Sequence, residues 1–168
     1  GGVFFIAWQT AYIAAAADAG VDLRRAERVV GTSAGALVGC VLCTGGIGRF
    51  ARLADLFTRA TALVSFLAPV GDLHPSQQRA VDLVVAATDN EPTTLQEIGH
   101  AALAAQAPSA RKMRRNIGLL LDPRWPVGDR LRITCVDTYT GERIVADRRT
   151  RVRPATAVAA SSALPGVF

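Results

Sequence analysis

The sequence predicts an α/β layered fold, and three features point there. A short extended stretch, Arg28-Val29-Val30, runs through the turn Gly31-Thr32-Ser33-Ala34-Gly35 into an apolar helical run. A second extended pair, Leu131–Val136 and Arg143–Ala146, lies toward the other end. Between the two, helical periodicity dominates. A chain that mixes a strand–helix unit with a hairpin buries its apolar faces by stacking a sheet on helices. With 168 residues and 50% hydrophobic content, the chain can form one domain with its own core. Aromatic residues make up only 6%, so that core is to be built from Ala, Val, Leu and Ile in close helix contacts.

Each element has a local reason. A glycine-rich turn at Gly1-Gly2 opens a helix that runs to about Ala19 and stops at Gly20. On it, Trp8 and Tyr12 stand four residues apart, which predicts that they pack in the core. The stretch 28–30 ends a buried strand, and a helix follows from about Ala34 to Thr44, closed by Gly45-Gly46. Residues 48–67 read as a helix with Phe50, Leu53, Leu56, Phe57, Leu63 and Val64 on its apolar positions. A loop with Pro69, Gly71 and Pro75 follows. Ser76 is placed as the cap of a helix to about Thr88, and Thr94 with Glu97 as a capping box for a helix to about Ala107. Pro108-Ser109 restarts a basic helix to about Leu121. Leu131–Val136 and Arg143–Ala146 form a hairpin around Thr140-Gly141, with Asp137 expected to stabilise the turn. Pro154 opens the last helix, to about Ser161.

Bulk properties exclude several classes. The net charge is +5, and Lys112 is the only lysine. The densest clusters are Arg111-Lys112-Met113-Arg114-Arg115 and Arg148-Arg149-Thr150-Arg151-Val152-Arg153, which read either as solvated faces or as contacts for anionic lipid headgroups or another anionic surface. Nucleic acid is not expected, because aromatics beside basic residues are few, as at Arg124-Trp125, and no binding motif is present. Three cysteines argue against a disulfide framework. Cys40 and Cys43 have a C-x-x-C spacing but sit in an apolar run, so they are read as buried small residues, and no metal or cofactor is expected. Val3 to Ala17 is apolar but short for a membrane span. A cytoplasmic or peripheral membrane location fits best.

Gly31-Thr32-Ser33-Ala34-Gly35 is a G-x-S-x-G motif. A serine forced into a strained strand-to-helix corner needs small neighbours two residues to either side. The following helix N-terminus brings free N–H groups and partial positive charge, so the Ala34 N–H can donate to an oxyanion. Ser33 is thus a candidate nucleophile, with Gly31 and Gly35 forming the elbow. A serine needs a base. Only His74 and His100 are present, and both follow Ser33, so a triad with Asp72 or Asp82 and His100 is one option. A direct Ser–Asp dyad is the other.

Two separated blocks resemble the patatin-like phospholipase family. The first is Gly1-Gly2-Val3, Ile6-Ala7-Trp8-Gln9, Asp18-Ala19-Gly20-Val21 and Val29-Val30-Gly31-Thr32-Ser33-Ala34-Gly35-Ala36-Leu37. The second is Val136-Asp137-Thr138-Tyr139-Thr140-Gly141-Glu142 with Ala157-Val158-Ala159-Ala160-Ser161-Ser162-Ala163-Leu164-Pro165-Gly166-Val167-Phe168. The resemblance implies a patatin-like layered fold with a central, mostly parallel sheet and helices on both faces. It implies hydrolysis of lipid acyl esters by Ser33 through an acyl-enzyme, without metal or cofactor. It assigns Gly1, Gly2, Val3 and Ala34 to the oxyanion hole. Phe4-Phe5 stands where the family usually has a small or basic residue and another Gly. The family's catalytic Asp lies in Asp-Gly-Gly or Asp-Gly-Ala, and no Asp-Gly dipeptide occurs here. The 168 residues are therefore expected to be an incomplete domain, lacking an N-terminal strand and the C-terminal segment with that Asp. A His-assisted esterase and an inactive membrane-binding remnant of the fold are the alternatives.

Overall fold

A computed structural model describes residues 2–46, 48 and 72–167. The expected helix 48–67, apart from Gly48, and the expected loop at Pro69 and Gly71 lie outside the described residues. The described order is α1 (Gly2–Asp18), a 3-10 turn (Leu23–Arg25), β1 (Val29–Gly31), α2 (Ala34–Cys43), α3 (Pro75–Ala86), α4 (Pro92–Ala104), α5 (Ala110–Leu120), β2 (Leu131–Val136), β3 (Arg143–Ala146) and α6 (Pro154–Ser162).

The sheet has the order β1-β2-β3. β1 runs parallel to β2, with Gly31 opposite Ile133, and β2 runs antiparallel to β3, with Ile133 opposite Ala146. It is therefore a mixed sheet rather than a mostly parallel one. The second pairing is set by the short connection after Val136, which only an antiparallel neighbour accommodates. In that connection Asp137 Oδ1 accepts from the N–H of Tyr139 and of Thr140, and Gly141 takes a φ of 71°.

One face of the sheet is covered. A Cβ on Gly39 of α2 would lie 3.1 Å from Val29 and 3.3 Å from Leu131, so bare backbone is what lets α2 approach β1 and β2 this closely. On the same face Cys135 Sγ is 3.7 Å from the Ala157 carbonyl of α6. Ile133, Ala36, Ala157 and Val158 sit at the centre of this core. α1 packs on α2, and α5 packs on α6. On the opposite face Val30 is 61% exposed beside Arg132 and Thr134. Helices on both faces were expected; among the described residues, α2 and α6 cover one.

Sequence and structure differ in three further places. Trp8 and Tyr12 are not in the core: they are 55% and 57% exposed and stack on each other at 5.5 Å. The buried stripe of α1 is Ile6, Thr10 and Ile13, and Trp8 and Tyr12 fall on another face. The cap of α3 is His74 rather than Ser76, its Nδ1 accepting from the Ser76 N–H while Gln77 Oε1 accepts from the His74 N–H. Thr94 and Glu97 lie inside α4, which starts at Pro92 because proline's fixed φ suits the first helical position.

Candidate active site

The site is built at the β1–α2 corner. Ser33 adopts φ 53° and ψ −120°, and it is the sole non-glycine residue with positive φ among the described residues. Such a backbone costs on the order of 1–3 kcal/mol and persists only when its surroundings impose it. Gly31 explains part of the constraint. A Cβ there would fall on the Gly35 carbonyl, 2.6 Å from its carbon and 2.7 Å from Ala36 Cα. Gly35 is not the mirror of this requirement. A Cβ on Gly35 would meet only the Gln9 amide, at 3.8 Å. The need for a small neighbour therefore falls on Gly31, while Gly35 supplies the backbone that Gly31 must pass.

The Ser33 hydroxyl does not cap α2, although Ser33 occupies the N-cap position. Its own N–H donates to Ser161 Oγ at 2.9 Å. Next to it, Thr32 Oγ1 and Thr134 Oγ1 lie 2.6 Å apart, tying the corner to β2. Ala34, the first residue of α2, is buried, and its N–H donates to no acceptor among the described residues. A free N–H at the positive end of a buried helix is what a developing oxyanion requires. Among the described residues the geometry therefore offers a hydroxyl and a neighbouring amide without hydrogen-bond partners, and a helix dipole aimed at both.

The other expected hole residues are placed as follows. Gly1 lies outside the described residues. Gly2 is exposed with a φ of 75°. Val3 belongs to the first turn of α1, where N–H groups have no intrahelical carbonyl. Phe4 and Phe5 continue that helix with exposed rings. On the elbow side α1 sets the Gln9 amide where a Cβ on Gly35 would meet it.

The histidines are elsewhere. His74 is engaged in its cap, with Nδ1 2.8 Å from Ser76 Oγ, and His100 is exposed on α4. Asp72 is exposed, and Asp82 Oδ1 accepts from Gln78 Nε2 at 2.7 Å. Among the described residues no hydrogen bond joins Ser33 to a His, Asp or Glu. α3 and α4 pack on each other and are tied to later chain by Gln77 Nε2, which donates to the Gly166 carbonyl, and by Gln96, which donates to the Tyr139 carbonyl.

Among the described residues Ser33 lines none of three surface grooves. One lies by Cys40, Val41 and Leu120, a second between α5 and the start of α6, and a third by Pro92 and Arg143. The cysteines are free thiols. Burial pushes the Cys40 thiol up to about 12, with the neighbouring Cys43 adding to it. Burial raises Cys43 and Cys135 as well. These are packed, unreactive groups rather than a redox pair. No cluster of His, Cys, Asp and Glu fit for a metal occurs among the described residues, and no helix there is long and apolar enough to cross a membrane.

Sequence reasoning did not assign Ser161, Gln9 or the Thr32–Thr134 pair to the site. Each touches the corner from a distant part of the chain, and no local spacing reports such a contact. No protein-family model, curated protein or solved structure matches this chain.

Proposed function

We propose that the chain carries the nucleophile of a serine acyl hydrolase that cleaves lipid acyl esters, with the layered arrangement of the patatin-like family. The observation that carries this reading is the backbone of Ser33, φ 53° and ψ −120°, beside the free Ala34 N–H. A strained serine whose hydroxyl is spent on no cap is hard to explain as a structural turn, because a glycine would make the same turn without the strain.

In this mechanism Ser33 Oγ attacks the ester carbonyl while a base removes its proton. The carbonyl π electrons move onto oxygen, and the Ala34 N–H and the start of α2 stabilise the resulting anion. The anion collapses, the C–O bond to the alcohol breaks, and the leaving alkoxide takes up the proton. Water then repeats the sequence on the acyl-enzyme and frees the fatty acid. The resemblance of the two sequence blocks to the patatin-like family supports a lipid as the acyl donor. It assigns the base to an Asp followed by Gly, a dipeptide the 168 residues do not contain.

The test is covalent labelling. A fluorophosphonate probe is expected to modify the protein at one residue, and Ser33→Ala to abolish both the adduct and any hydrolysis of a short-chain aryl ester. Labelling that persists in Ser33→Ala overturns the assignment. Loss of labelling in His100→Ala, with the fold intact by circular dichroism, would transfer the base to a histidine and favour the esterase alternative.

A further inference from the structure

The two arginine clusters are far apart in sequence, but folding joins them. α5 packs against α6, and between α5 and the residues leading into α6 lies a groove of about 1080 Å³. Its lining includes Arg111, Lys112, Arg114, Arg115, Arg151 and Arg153, with Asp122 as its one carboxylate. Asp122 is already turned toward Arg124, at 3.9 Å. None of the six cations forms an ion pair among the described residues, whereas Arg24, Arg132 and Arg149 elsewhere are paired. Like charges gathered at this density repel one another, so an external anion would stabilise the arrangement. α6 begins at this groove with no side-chain cap on its N-terminus, which adds partial positive charge on the same side.

The character of the lining selects among anions. Leu119 is 76% exposed in the groove and Val152 is 39% exposed, both among the cations. Aliphatic side chains set between arginines fit a bilayer interface, where the cations meet headgroup phosphates and the apolar groups enter the acyl boundary. A nucleic acid would call for exposed aromatic platforms. The groove lining contains no aromatic, and nearby Trp125 is held by donating Nε1 to the Val152 carbonyl at 2.8 Å.

We infer that the groove between α5 and the start of α6 is a docking face for an anionic phospholipid surface. α6 links this face to the corner already described. Its start lines the groove, and Ser161, about 9 Å further along the helix at 1.5 Å per residue, accepts the Ser33 N–H. The docking face stands apart from the hydrolase reading, because it depends on charge and exposure at residues other than Ser33.

Vesicle co-sedimentation tests it on the full chain, with phosphatidylglycerol–phosphatidylcholine vesicles compared with pure phosphatidylcholine. Binding is expected only to the anionic vesicles, weakening with salt. The variant Arg111→Gln/Arg114→Gln/Arg151→Gln should lose affinity on the order of a hundredfold, since each cation at such a surface contributes about fivefold. Arg79→Gln/Arg143→Gln, cations outside the groove, should bind nearly as the parent does. Leu119→Ser removes no charge and alters an exposed position, so a fall in affinity of about tenfold is expected from lost interfacial insertion. Equal losses per charge in groove and control variants, unchanged binding in the groove variant, or groove-dependent binding of a single-stranded oligonucleotide without vesicle binding would each overturn the proposal.

Discussion

At the scale of single residues, Ser33 carries the most informative angle in the chain. The strain of a seryl residue there is on the order of 1–3 kcal/mol. A glycine would relieve it, at an entropic cost to the folded state of about 0.5–1 kcal/mol. Relief outweighs cost, so Ser33→Gly is expected to be more stable than Ser33→Ala by about 1 kcal/mol, measured as a shift in urea midpoint at equal m-value. Coincident midpoints would mean that the corner is relaxed. The motif's legibility was partial for a definable reason. Gly31, Ser33 and Gly35 stand together in sequence, so the elbow could be read directly. The unequal roles of Gly31 and Gly35, and the Ser161 hydroxyl on the Ser33 amide, depend on where α2, α1 and α6 lie.

At the scale of elements, capping shows what local pattern leaves open. Several residues before α3 can accept an N–H, and the sequence pointed to Ser76. His74 takes the position because Pro75 cannot donate and suits the first helical residue, which moves the start back. Gln77 then does two jobs. Its Oε1 accepts the His74 N–H at 2.9 Å, and its Nε2 donates to the Gly166 carbonyl at 2.8 Å. The missing side chain of Gly166 is what lets it lie this close to α3: a Cβ on it would be 2.7 Å from Ala80 Cβ and 2.8 Å from the Gln77 carbonyl oxygen. Gln77→Leu keeps the volume but strands a donor and an acceptor. A loss of about 2 kcal/mol is expected, visible as a lower midpoint in thermal or urea unfolding. An unchanged midpoint would show that α3 does not anchor the residues around Gly166.

At the scale of the whole molecule, charge is arranged unevenly. Arg132 on the open face of the sheet bridges Asp129 at 2.9 Å and Asp147 at 3.5 Å, and Arg149 reaches Asp129 at 3.0 Å. The hydrogen bond from Arg132 holds the Asp129 carboxyl below its ordinary 3.8. The Arg149 and Thr150 amides, with the Thr150 hydroxyl, do the same for Asp147. Both folded-state values lie below the unfolded one, so the stabilisation is complete above the ordinary value and fades as pH falls through the lowered values. Unfolding midpoints followed from neutral to acid should therefore decline in that window. Arg132→Gln should make the decline shallower, and a profile of unchanged slope would remove the network from the acid response. The six cations of the α5–α6 groove lack such partners among the described residues, and that contrast sets the groove apart.

The sequence by itself determined the strand–turn–helix corner with Ser33 at its apex, the α/β class, the hairpin with Asp137 in its turn, and the helix starts at Pro154 and near Ser109. All of these are local, because backbone restriction by Gly and Pro and short-range periodicity act within a few residues. Tertiary structure alone decided that the sheet is mixed, that Trp8 and Tyr12 face outward, that Ser161 meets Ser33, and that two distant arginine clusters share one groove. Each of these depends on which surfaces meet after the chain has folded back on itself, and residue spacing along a single strand or helix carries no record of that meeting.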